Sequence, residues 1–257
     1  MNKKILISLA MIAAVAAVVV GATTAYFSDV ETSTGNTFTA GTIDLTVDSN
    51  CTYNGVQSGE CGVWSLKDLG LGPTADRFFN FTDVKPGDYG ENTVSLHVEN
   101  NEAYACLNVS PLVNNDNTCT EPEQIAEGGQ TCGTDPGAGE LAQNLQFFAW
   151  NDLDGDNVWE VEEMPLFSNI KGPASDVLSG RTYPLGILPA SQTKYIGIYW
   201  CAGNMTVDPQ TNALSCDGSA MGNNVQSDSM TADISFDVAQ VRNNPNFVCP
   251  GLPGLPQ

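Results

Sequence analysis

Residues 92–100 read NTVSLHVEN, and Val94, Leu96 and Val98 alternate there with Ser95, His97 and Glu99. A period of two with one apolar face is the signature of an antiparallel strand whose other face meets water. The same alternation recurs in SMTADISFDVAQV (229–241), where Met230, Ala232, Ile234, Phe236 and Val238 share a face, and in TIDLTVD (42–48), through Ile43, Leu45 and Val47. YACLNVSPL (104–112) and KYIGIYWCA (194–202) read as further strands, the second apolar almost throughout and therefore central in its sheet. Between these segments the turn chemistry is dense: Lys85-Pro86-Gly87-Asp88 suits a type II turn, and Gly and Asn recur. Helical periodicity is scarce beyond the N-terminus, with only short turns expected at 121–126 and 139–143. The class is all-β: one antiparallel sandwich or jelly roll with long loops, and no internal repeat.

The N-terminus has a different character. Lys3 and Lys4 precede the apolar run ILISLAMIAAVAAVVVGA (5–22), and Thr23-Thr24-Ala25 follow. A basic start, an apolar core and a small-residue exit form a secretory signal peptide over residues 1–25, helical while it lasts, with Tyr26 opening the mature chain. The alternative is an uncleaved anchor, since the run approaches the length of a bilayer span; the chain would then meet a membrane only through that signal. In either case the bulk of the chain is exported, to the cell surface or the extracellular space.

The cysteines agree. Eight are present, at Cys51, Cys61, Cys106, Cys119, Cys132, Cys201, Cys216 and Cys249, and none forms a CxxC pair. That pattern points to disulfides in an oxidising compartment rather than to zinc or redox motifs. Pairing by loop length joins Cys51 to Cys61, Cys119 to Cys132 and Cys201 to Cys216, leaving Cys106 for Cys249; the count alone permits other connectivities. The formal charge of −21 excludes a partner such as nucleic acid or anionic lipid. With 42% hydrophobic and only 15% charged residues, the chain is globular with an acidic skin, not a disordered acidic tail.

One stretch carries metal chemistry. DLDGDNVWEVEE (152–163) places Asp152, Asp154 and Asp156 at positions one, three and five of a calcium-loop template, the Val158 carbonyl at seven, Glu160 at nine and Glu163 at twelve. Calcium takes six to eight hard oxygens, which one tight loop of carboxylates supplies. Asn157 stands where the template has Gly at a positive φ, and Asn is the best substitute there. NLQFFAW (144–150) before the loop and Pro165 after it rule out flanking helices, so the loop is inserted between sheet elements; the alternative is a solvated acidic turn. Catalytic signatures are lacking: His97 is the sole histidine, and neither HExxH, GxSxG nor a P-loop occurs, so the chain is expected not to be an enzyme and to have no catalytic residues. Asn80, Asn108 and Asn204 head glycosylation sequons, meaningful only where asparagine is glycosylated.

Tyr26-Phe27-Ser28-Asp29, followed by Asn36-Thr37-Phe38-Thr39-Ala40-Gly41-Thr42-Ile43-Asp44-Leu45 behind a signal peptide, resemble the TasA/camelysin family of biofilm-matrix and surface proteins. Val84-Lys85-Pro86-Gly87-Asp88, Glu99-Asn100-Asn101 and Ile234-Ser235-Phe236-Asp237-Val238-Ala239-Gln240 agree in order, while the loops between them are this chain's own. The resemblance implies a jelly-roll domain over 38–249 that polymerises head to tail into extracellular fibres, after processing by a dedicated signal peptidase. It also implies that residues 26–37 leave their own subunit and add as a donor strand to the next copy, a partner identical to itself. Tyr26, Phe27, Ser28, Asp29 and Val30 lead that segment, with Phe27 and Val30 as apolar plugs and Gly35-Asn36 as the hinge before a first internal strand from Phe38 to Asp48. The alternative for the segment is an edge strand folded back on its own sheet, or a frayed terminus. Residues 250–257 read as a flexible tail. Three functional expectations follow in order: a fibre subunit, a monomeric calcium-dependent adhesin or glycan binder, and a camelysin-like secreted peptidase.

Overall fold

The computed structural model describes residues 28–32, 43–70, 72, 75–129, 137–167 and 171–252. The expected signal peptide (1–25), Phe27 and the 35–36 hinge lie outside the described residues, as does Cys132. No helix among the described residues is long and apolar enough to cross a membrane.

The strands run β1 (Ser28–Thr32), β2 (Leu45–Tyr53), β3 (Trp64–Lys67), β4 (Tyr89–Val98), β5 (Ala103–Val109), β6 (Val113–Asn115), β7 (Leu145–Asp152), β8 (Met164–Pro165), β9 (Gly172–Pro173), β10 (Thr182–Leu188), β11 (Gln192–Ala202), β12 (Asn204–Val207), β13 (Leu214–Asp217), β14 (Ser229–Thr231) and β15 (Ile234–Gln240). One sheet has the order β1-β15-β5-β10; the larger has the order β3-β2-β4-β11-β7-β8, with β9 also on β7. The fold is thus all-β and multi-sheet. A core of Leu45 and Val47 (β2), Val94, Leu96 and Val98 (β4) and Ile196 (β11) meets Ala105 and Leu107 (β5), Leu188 (β10) and Phe236 and Val238 (β15). These are the alternating residues of both sheets, which is how two pleated faces bury a common interior.

Several expectations change in detail. The first internal strand extends to Tyr53 rather than ending at Asp48, because β4 supplies partners as far as Gly90. β4 has no wet face along most of its length: Thr93 and Ser95 are buried together with Val94 and Leu96. The outer side of the large sheet carries its own apolar cluster, Phe148, Trp150, Tyr199, Cys201 and Met205, so alternation in β4 does not separate core from water. The single strand expected over 229–241 is two, in different sheets. The chain crosses between them at Ala232-Asp233, where Ser110 Oγ accepts from the Asp233 N–H at 2.8 Å. β11 is central as expected, flanked by β4 and β7. The Lys85–Asp88 turn closes with the Asp88 N–H on the Lys85 carbonyl at 2.9 Å, and Gly87 takes φ 89°, the conformation that makes glycine the residue of choice there.

Disulfides join Cys51 to Cys61, Cys106 to Cys249 and Cys201 to Cys216. Cys119 is also disulfide-bonded. Short helices at Glu121–Ala126 and Leu141–Asn144 lie where turns were expected; a third, Ala174–Val177, was not foreseen.

Candidate metal centre

Residues 152–163 connect β7 to β8, whose pairing sets Asn151 opposite Met164 and Trp150 opposite Pro165. The loop is therefore the tip of a β-hairpin. Asp152, the last residue of β7, faces Tyr195 of β11 and is only 3% exposed, so its carboxylate begins the loop from a rigid, buried platform. Asp152 Oδ1 accepts from the Gly155 N–H at 2.7 Å, and Oδ2 from the Asn157 N–H at 3.0 Å. Asp154 Oδ1 accepts from Asp156 N–H at 3.3 Å, and Asp156 Oδ1 from Val158 N–H at 2.7 Å. Each carboxylate thus folds the backbone around itself, the local bond that makes Asp a turn former.

Two residues carry the left-handed backbone this wrapping needs. Asn157 has φ 62° at the position where the template has glycine, as expected. Gly155 has φ 81° and lies flat on the Tyr195 ring, so that a Cβ there would meet ring carbons at 3.0 Å. Glu163, 4% exposed, closes the loop: its Oε1 accepts from Leu153 N–H at 2.7 Å and its Oε2 from Glu160 N–H at 3.0 Å. Trp159 packs edge-on against Phe148 at 4.9 Å and anchors the loop to the sheet's outer cluster.

The carboxylates converge. Asp152, Asp154 and Asp156 bring one oxygen each within 4.8 Å of one another, and so do Asp154, Glu160 and Glu163; Asp154 is common to both sets. Two ligands on opposite sides of a calcium ion stand about 4.6–5.2 Å apart, so these separations suit one cation. A carboxylate oxygen has two lone pairs, and an N–H bond leaves one for a metal. Burial pushes the Glu163 carboxyl above its usual range, with Asp152 and Asp154 adding to the effect and the Leu153 and Glu160 N–H groups opposing it. The ion pairs among the described residues, Lys67–Asp76, Lys85–Asp83 and His97–Glu99, all lie elsewhere. This negative charge lacks a side-chain counter-ion, and a divalent cation is what the donor set can hold. His97 bonds to Glu99 and Thr193 and belongs to none of these carboxylate groups, so the described residues do not fit a histidine-held zinc.

The N-terminal segment also has a place. β1 pairs antiparallel with β15 of its own chain, Ser28 opposite Ala239 and Thr32 opposite Ser235, at the edge of the smaller sheet. Asp29 and Val30 therefore sit opposite Val238 and Asp237. Within the single chain it is a folded-back edge strand.

A family model described as camelysin metallo-endopeptidase matches residues 1–59. No curated protein matches the chain. The match spans under a quarter of the chain and ends within the β2–β3 connection. It nevertheless overturns the expectation of a non-enzyme, because the matched family is described by a peptidase activity. That expectation rested on the lack of a histidine pair. Metal-assisted hydrolysis requires a held, open metal, and carboxylates hold hard cations without histidine.

Proposed function

We propose that the chain is an exported structural protein of a cell surface or extracellular matrix, with calcium held in the 152–163 loop, whose N-terminal strand links one copy to the next. The observation that carries the reading is the seat of β1. A segment two hundred residues upstream of β15 occupies the outer edge of the smaller sheet through main-chain pairing, with no proline in it. The same segment from a second copy would satisfy the same edge, and a head-to-tail contact of that kind propagates instead of closing. Export is supported by the cysteines, none of them free among the described residues, and by the signal-like residues 1–25. In the loop, Asp152, Asp154, Asp156, Glu160 and Glu163 supply carboxylate oxygens and Val158 its carbonyl.

Purified protein examined by negative-stain microscopy across calcium and salt concentrations should form filaments; a monomer under every condition would leave the adhesin reading in its place. For the loop, calcium at about 100-fold above its dissociation constant stabilises by about 2.7 kcal/mol, so chelator should lower the melting temperature. Asp154→Ala should cost one bound calcium ion and the loop's share of that shift. An unaltered calorimetric titration in this variant would reduce the loop to a solvated turn.

A second reading, a metal-dependent endopeptidase, is carried by the match of residues 1–59. Cleavage of an unfolded protein substrate that stops on chelation and returns with added metal would establish it.

A further inference from the structure

A second acidic group lies well away in sequence from the 152–163 loop, built from Asp116, Glu123 and Asp228. The pairing of β6 with β14 ends with Asn115 opposite Ser229, so Asp116 and Asp228 are the next facing residues beyond the ladder. Glu123 reaches the same point from the helix Glu121–Ala126, and one oxygen of each of the three residues lies within 4.8 Å of the others. Asp116 is 6% exposed and Glu123 1%. Asp116 Oδ1, Glu123 Oε1 and Asp228 Oδ1 are each buried and have no hydrogen-bond partner among the described residues.

The second oxygens of Glu123 and Asp228 are engaged, which leaves Glu123 Oε1 and Asp228 Oδ1 as the free ones. Glu123 Oε2 accepts from Thr120 N–H at 3.0 Å in a capping box, and from Ser227 Oγ at 3.4 Å. Asp228 Oδ2 accepts from the N–H groups of Glu140 and Leu141 at 2.6 and 3.0 Å. Around them the two loops are laced together: Asn117 Nδ2 donates to the Ser227 carbonyl, Ser227 Oγ to the Thr118 carbonyl, and Thr120 Oγ1 to Gln226 Oε1. No described Lys, Arg or His forms an ion pair with any of the three carboxylates.

We infer that Asp116, Glu123 and Asp228 form a second, buried divalent-cation site, of calcium type, that staples the 116–123 and 223–228 loops together. Two buried carboxylates and a half-buried third, without a cation, repel one another, and their free oxygens forgo hydrogen bonds that they would have had in water. A single ion offsets both costs. Calcium suits the site better than magnesium: it tolerates several carboxylates and irregular geometry, whereas magnesium keeps most of its water. Burial raises the Asp228 carboxyl against the pull of its two N–H donors, and Asp116 and Glu123 raise it further, as uncompensated neighbours would. This site is independent of the 152–163 loop, and either can fail without the other.

The test is calcium stoichiometry by calorimetric titration and elemental analysis on wild type, Asp116→Asn, Asp154→Ala and the double variant. Asp116→Asn keeps the side chain's shape and removes only charge. It should bind one calcium ion fewer than wild type, and so should Asp154→Ala; the double variant should lose both. In chelator Asp116→Asn should melt at or above the wild-type temperature, because repulsion is relieved, while in excess calcium it should melt below wild type. That crossing of order separates a metal site from a merely structural acid cluster. Asp228→Asn, which retains an acceptor for the Glu140 and Leu141 N–H groups, serves as the second variant. Wild-type stoichiometry in both Asn variants would overturn the inference, as would complete loss of calcium in Asp154→Ala alone.

Discussion

Replacing Cys106 and Cys249 together by serine should lower the thermal midpoint by about 10–20 °C, more than opening either of the other described disulfides. The pair spans 143 residues of sequence, and chain entropy gives a cross-link of that length about 5 kcal/mol of stabilisation. For a chain of this size each kcal/mol moves the midpoint by about 2–4 °C. Cys51–Cys61 spans 10 residues and Cys201–Cys216 spans 15, which the same relation sets at about 3 kcal/mol each. The long disulfide also holds tertiary structure. In β5, Ala105 and Leu107 point into the core, so Tyr104, Cys106 and Asn108 point to the sheet's other face. There Phe247 stacks on Tyr104 at 5.2 Å, and Asn108 Nδ2 donates to Asp237 Oδ2 at 2.9 Å. Cutting the disulfide frees the segment that covers this face. Melting curves of the three double-serine variants, recorded in saturating calcium, check the order. A long-loop variant that melts within a few degrees of the other two would refute it.

What the sequence revealed depended on how local each signal was. The convergence of acids in the 152–163 loop was legible because its carboxylates lie within twelve residues at the spacing of a calcium-loop template; the positive φ of Asn157 followed from the same template. Cys51–Cys61 and Cys201–Cys216 were legible because short loops between cysteines limit the sensible partners, and Cys106–Cys249 followed as what was left. The strands declared themselves by alternation, but alternation cannot say what covers the second face. Buried Thr93 and Ser95 mark where that reading failed, beneath an aromatic cluster drawn from β7 and β11. Nor could it say where a strand changes sheet, since residues 229–241 keep one period across the break at Ala232-Asp233. The Asp116–Glu123–Asp228 group left no trace in the sequence at all. Asp116 and Glu123 are close in sequence, but Asp228 stands more than a hundred residues further on, and the β6–β14 ladder brings it beside Asp116. The expectation of a non-enzyme failed for a different reason: it treated histidine as a requirement of metal hydrolysis instead of one ligand among several.

Deleting Tyr26 to Thr34 should give a folded, soluble protein that no longer forms filaments. The apolar core joins residues of β2, β4, β5, β10, β11 and β15, so the subunit keeps its interior when the segment is lost. What it loses is the strand at the edge of β15, where five residue pairs, from Ser28–Ala239 to Thr32–Ser235, satisfy the ladder. In one copy this pairing caps the edge; exchanged between copies, the same hydrogen bonds link them. The exchange changes little in the ladder itself, so protein concentration decides which form wins. Phe27→Asp should act nearly as strongly as the deletion, because a charge entering an apolar pocket costs several kcal/mol, on the order of the pairing it would accompany. A synthetic peptide of residues 26–37 should cap growing filaments by occupying the vacated edge, and should bind the deletion variant one to one. Microscopy and sedimentation of the two variants, with and without peptide, give the readout. Filaments of normal length from the deletion variant would rule out strand exchange by this segment and leave β1 as an edge strand of its own subunit.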